Sequence, residues 1–182
     1  MLKRIGLLVA ATLGCSAATT YVLTADATGS LDGTQFNAPT LLTITAIANA
    51  ATPGDPFSAT VEFGSVIDTF NLKHAYLFES GSCMIEPSVP ACGGFGTGVT
   101  DILDISNNAF ATYVLGTALA TVDDATPFIG GSSFADDSGG NLILVTAITG
   151  TFTATVNSVP EPSSAVLLAF ALLALGISSR RR

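Results

Sequence analysis

Thr151-Phe152-Thr153-Ala154-Thr155-Val156 decides the fold. Phe152, Ala154 and Val156 fall on one side of an extended chain and the threonines on the other, the period of two that a half-buried strand requires. Leu42-Thr43-Ile44-Thr45-Ala46 repeats the pattern. Ala59-Thr60-Val61-Glu62-Phe63 follows it less strictly, as do residues 66–70, 75–78, 109–114 and 142–147. Turn-forming clusters separate these runs: Thr52-Pro53-Gly54-Asp55-Pro56, Gly81-Ser82, the glycines of 93–98, Ser106-Asn107-Asn108, and Asp136-Asp137-Ser138-Gly139-Gly140-Asn141. Thr, Val, Ile and Phe, the residues that suit a pleated surface, dominate. Away from the two ends no long run carries the helix period. Roughly seven to ten short strands punctuated in this way predict an all-β chain, an antiparallel β-sandwich of jelly-roll or Ig-like topology. No fixed-period repeat points to a solenoid or propeller.

The two ends read differently. Met1-Leu2-Lys3-Arg4 is a basic start, residues 5–13 are apolar, and Ser16-Ala17-Ala18 places small residues where a signal peptidase needs them. This predicts a signal peptide over 1–18, with Ala25-Asp26-Ala27 as a second cleavage candidate. Thr12-Leu13-Gly14-Cys15 resembles a lipidation signal, but Thr12 stands where an aliphatic residue is preferred. At the other end, Val159-Pro160-Glu161-Pro162 precedes an uncharged stretch over 163–179 and then Arg180-Arg181-Arg182. The prolines remove backbone donors and keep Glu161 extended, so a helix begins after Pro162 with Ser163 or Ser164 as its cap. Residues 165–177 are apolar on every helical face. A stable span needs roughly 20 apolar residues, so this shorter stretch suits transient membrane residence. The arginines hold its end on the cytoplasmic side. A permanent tail anchor is the plainer alternative.

In order and position, this tail resembles the PEP-CTERM sorting signal of Gram-negative, exopolysaccharide-producing bacteria. The resemblance implies recognition by a membrane-embedded exosortase and processing near the Pro-Glu-Pro motif. Val159, Pro160, Glu161 and Pro162 are then substrate positions, and Arg180, Arg181 and Arg182 the cytoplasmic stop. With both basic ends inside, the segment between them is exported. The expected organisation is a signal peptide, an exported β-domain over 28–158, and the sorting signal over 159–182. The central region is similar to uncharacterised β-rich domains found ahead of such signals, on Gly29-Ser30-Leu31-Asp32-Gly33-Thr34-Gln35-Phe36, Asn107-Asn108-Ala109-Phe110-Ala111-Thr112-Tyr113 and Gly139-Gly140-Asn141-Leu142. That similarity carries no activity.

Charge is concentrated at the ends too. Residues 28–158 hold twelve acidic residues against Lys73 alone, a net charge of −11. One lysine cannot neutralise a phosphate backbone, which excludes nucleic acid as a partner. The acidic surface suits solubility or cations and disfavours adsorption to anionic surfaces.

With Cys15 leaving in the signal peptide, Cys83 and Cys92 remain as an even pair in an oxidising compartment. They enclose eight residues that include Pro87 and Pro90. A disulfide there stabilises by roughly 2–3 kcal/mol through unfolded-state entropy. A metal pair is the competing reading, short of ligands because His74 lies elsewhere. The glycines of 93–98 lack the lysine and helix of a phosphate loop and read as a turn after this loop.

Catalytic signals are sparse. His74 is the single histidine, with no Gly-x-Ser-x-Gly elbow to pair with it. Glu62, Glu79, Asp101 and Asp104 supply carboxylates for glycoside hydrolysis, but the chain has no tryptophan to grip a sugar. Asp136, Asp137 and Asn141, together with Asp123-Asp124, offer oxygen to calcium without EF-hand spacing; ordinary Asx-turn chemistry competes. The expectation is a non-enzymatic exported protein without a cofactor, structural or adhesive at the cell surface or in the matrix beside exopolysaccharide and biofilm, with exosortase and the export machinery as partners. A carbohydrate- or calcium-binding module and a small secreted hydrolase are the alternatives.

Overall fold

The strand pattern predicted from alternation is realised in two antiparallel sheets. A computed structural model describes residues 17–49, 51–70, 75–80, 91–97, 100–130, 133–135 and 141–157. The larger sheet takes β1 (Ala18–Leu31), β2 (Thr34–Asn49), β3 (Thr52–Phe63), β4 (Val66–Phe70), β8 (Leu119–Asp124), β9 (Ser133–Ala135) and β10 (Asn141–Asn157). Its order is β4-β3-β2-β1-β10-β8, with β9 beside the start of β10. The smaller sheet is a meander of β5 (Ala75–Ser80), β6 (Cys92–Thr97) and β7 (Thr100–Ser106).

Local chemistry sets the tight connections. Asp32-Gly33 joins β1 to β2 with φ of 51° and 81° at the two turn positions, the doubly left-handed geometry that suits strand twist and that Asp-Gly tolerates best. From there β1 pairs with β2 on one side, Leu31 opposite Thr34 through Ala18 opposite Asn49. On the other side it pairs with β10, Ala18 opposite Asn157. The first and last strands are thus neighbours at the centre of the larger sheet.

Alternation then sorts the faces. Tyr21, Leu23, Leu42, Ile44, Val61, Phe63 and Phe152 are fully buried on the inner face of the larger sheet, and Leu77, Phe95, Leu103 and Ile105 of the smaller sheet close on them. Each such side chain stabilises by about 1.5–3 kcal/mol. Threonines take the outer face, where Thr24 and Thr151 hydroxyls meet at 2.7 Å and Thr121 and Thr153 at 2.9 Å across neighbouring strands.

Several expectations change. Gly93, Gly94 and Gly96 do not form the expected turn: they lie in β6, the middle strand of the smaller sheet. Neighbouring rings take the place of their missing side chains, since a Cβ on Gly93 would meet Phe110 at 2.3 Å and one on Gly94 would meet Phe78 at 2.8 Å. Residues 109–114 are not a strand either. Asn107 accepts from the Ala109 N–H at 3.0 Å and caps a 3₁₀ turn, η1 (Asn108–Ala111), that drives Phe110 into the core. Residues 142–147 and 151–156 belong to one strand, β10, bent where Asp26 faces an extra residue. One compact unit runs Ala17–Ser158 and takes in residues 18–27.

Candidate functional site

Two places collect polar chemistry, one on each sheet. The first is the outer face of the smaller sheet. Register puts Tyr76, Gly96 and Asp101 in one cross-strand row and Phe78, Gly94 and Asp104 in the next. The glycines leave β6 bare on this face, so the two aromatic side chains of β5 lie over it, their rings 6.0 Å apart. Tyr76 Oη reaches across and donates to Asp101 Oδ1 at 2.6 Å. Burial and that carboxylate push the Tyr76 hydroxyl well above its ordinary pKa.

Asp104 is the unusual member. Its backbone N–H and C=O both bond to Phe128, which seals this edge of the sheet. Its side chain is 3% exposed and Oδ1 has no hydrogen-bond partner among the described residues. Burial first, and the Asp101 charge second, push its pKa up to about 7. The carboxyl therefore holds its proton in acid and titrates near neutrality. It can exchange a proton there, but its burial keeps it from gripping a substrate.

The second place is a hollow of about 420 Å³ on the outer face of the larger sheet, where Thr24, Asp26, Asp123, Asp124, Thr149 and Thr151 converge. Asp26 accepts from the Thr149 hydroxyl at 3.2 Å. Asp124 is committed to the scaffold: Oδ2 accepts from the Ser106 N–H at 2.6 Å and Oδ1 from the Thr126 N–H at 2.8 Å. Among the described residues no lysine or arginine lines the hollow, and its carboxylates disfavour an anion.

The residues singled out from sequence scatter. Glu62 stands on β3 beyond the hollow, Glu79 on the inner face of β5, and Asp101 and Asp104 on β7. Asn141 opens β10, and its backbone is tied to the β1–β2 turn: its N–H donates to Asp32 Oδ1 and its C=O accepts from the Asp32 N–H, both at 2.9 Å. Cys92 opens β6 and is disulfide-bonded. Lys73, His74, Cys83, Asp136, Asp137, residues 1–16 of the expected signal peptide and the whole of 159–182, with its motif, apolar stretch and arginines, lie outside the described residues. Among the described residues no helix is long and apolar enough to cross a membrane. Two features escaped the sequence. The carboxylate inside Ile102-Leu103-Asp104-Ile105 was a usable signal, an acid in an apolar run. Nothing local paired Tyr76 with Asp101.

Residues 158–182 match the family model of the PEP-CTERM protein-sorting motif. No curated protein and no solved structure matches the chain significantly.

Proposed function

From an exported bacterial chain carrying a PEP-CTERM motif and targeted to an exosortase at the membrane, we propose a non-enzymatic surface or matrix protein with a structural or adhesive role. It works beside the extracellular polysaccharide of a Gram-negative cell. The sorting motif carries this reading: its match begins at Ser158, the residue directly after the end of β10. The use made of the acids supports a non-catalytic role, since Asp124 ties backbone and Asp104 is buried. Cys83 is the proposed partner of Cys92, closing the loop that enters β6.

The hollow at Asp26 and Asp123 favours one second reading, a module that takes neutral or cationic carbohydrate. Carboxylates and threonine hydroxyls there can both accept from sugar hydroxyls. Binding assays with neutral, amino and acidic polysaccharides discriminate between the two.

The test of the main reading is intact mass, with and without reductant, of protein recovered from the cell envelope and medium of its native host. Loss of the tail near Pro160-Glu161-Pro162, with a gain of two hydrogens on reduction, is expected. A membrane-bound species that retains Arg182 would mean a permanent anchor and remove the sorting role.

A further inference from the structure

We infer that the leader is removed after Ala18, so that the exported chain begins at Thr19; this rests on the export reading above. Small residues occupy the positions a signal peptidase reads at both Ser16-Ala17-Ala18, the first expectation, and Ala25-Asp26-Ala27, the second candidate. The sheet separates the two.

Processing acts on a chain still being exported, before it folds, so the constraint falls on the product. Between Ala18 and Ala25, β1 is paired residue by residue on both sides: Thr19 with Ala48 and Val156, Leu23 with Ile44 and Phe152, Ala25 with Leu42 and Gly150. Tyr21, Leu23 and Ala25 are at most 1% exposed. The Tyr21 hydroxyl accepts from the Gly116 N–H at 2.8 Å, and its ring meets Phe152 edge-on at 6.0 Å. A cut after Ala27 leaves only Thr28 to Leu31 of this strand. The facing parts of β2 and β10 are then separated by an empty strand position, roughly 10 Å wide, with two rows of backbone donors and acceptors unpaired. That product cannot build this sheet.

A cut after Ala18 costs the strand its first residue alone. The new ammonium falls on Thr19, a buried residue at the end of the sheet, one position in from the exposed Asn49 and Asn157. The surrounding chain is strongly acidic, which favours a positive group. Lipidation at Cys15 would also spare β1, but it leaves a lipid-bearing tetrapeptide ahead of Thr19 and is told apart by mass.

The experiment is N-terminal sequencing with intact mass on the exported full chain from its native host, wild type beside Ala18→Gln. A wild-type N-terminus at Thr19, with that species lost and unprocessed chain accumulating in Ala18→Gln, is the expected result. An N-terminus at Thr28, a lipid on Cys15, or the same N-terminus in both chains overturns the inference while leaving export intact. A chain that keeps Met1 and stays in the cytoplasm overturns export and this inference together.

Discussion

Asp104 shows how one residue can set a pH response. Its folded pKa is about 7 against an ordinary 3.8, so the native state holds a proton that the unfolded chain gives up in mild acid. Stability from this carboxyl is complete below about pH 3.8, falls as pH rises, and is gone above about pH 7. The full swing is on the order of 4 kcal/mol. Asp104→Asn, the neutral mimic, should flatten that window in denaturant titrations and be the more stable chain at pH 8; parallel curves for the two proteins across pH 4–8 would remove the effect from Asp104. Gly93 is a second residue with a sharp expectation. A methyl there would stand 2.3 Å from Phe110 Cε1, inside a filled core. Gly93→Ala should cost about 1–3 kcal/mol, measured as a lower urea midpoint at unchanged slope.

At the scale of elements, what was legible was whatever declared itself within six residues. Thr151 to Val156 reads correctly as strand because both faces of the alternation are local. β4 is recovered at its full bounds, Val66–Phe70, for the same reason. β6 was misread because Gly-Gly-Phe-Gly makes sense as a strand only once Phe78 and Phe110, from β5 and η1, lie over the glycines. η1 was misread because Ala109-Phe110-Ala111 alternates, while the deciding contact is the Asn107 cap. β1 was hidden by overlap: the small residues that end the proposed leader also begin the strand. The two polar clusters were legible as residue types and not as places, since Tyr76 and Asp101 are 25 residues apart and Thr24 and Thr151 are 127 apart. The short η1 earns its place through one side chain, Phe110, whose ring meets Phe152 edge-on at 5.2 Å and Tyr113 at 6.1 Å. Phe110→Ala should therefore cost about 3–5 kcal/mol, and Asn107→Ala about 1 kcal/mol, each checked by chemical denaturation. Equal losses would mean that the cap, and not the ring, holds this element.

At the scale of the whole molecule, the order of strands makes the two ends of the domain its centre. β1 follows the proposed leader and β10 runs into the sorting signal, yet the two pair over their length between β2 and β8. Their partners are more than a hundred residues apart in sequence, so the sheet cannot close until the last strand has crossed the membrane, and the loop entropy of that closure makes folding slow. A sandwich closed by its termini resists opening from its middle and frays at its sequence-interior strands β4 and β9. Native-state hydrogen exchange reads this directly. Amides of Tyr21 to Ala25 in β1 and their partners in β10 should exchange only through global unfolding, at the slowest rates in the protein, while those of β4 and β9 exchange orders of magnitude faster. The reverse ranking, with β1 opening early, would mean that the termini detach as a unit, and the tight coupling between leader removal and sheet assembly would be lost with it.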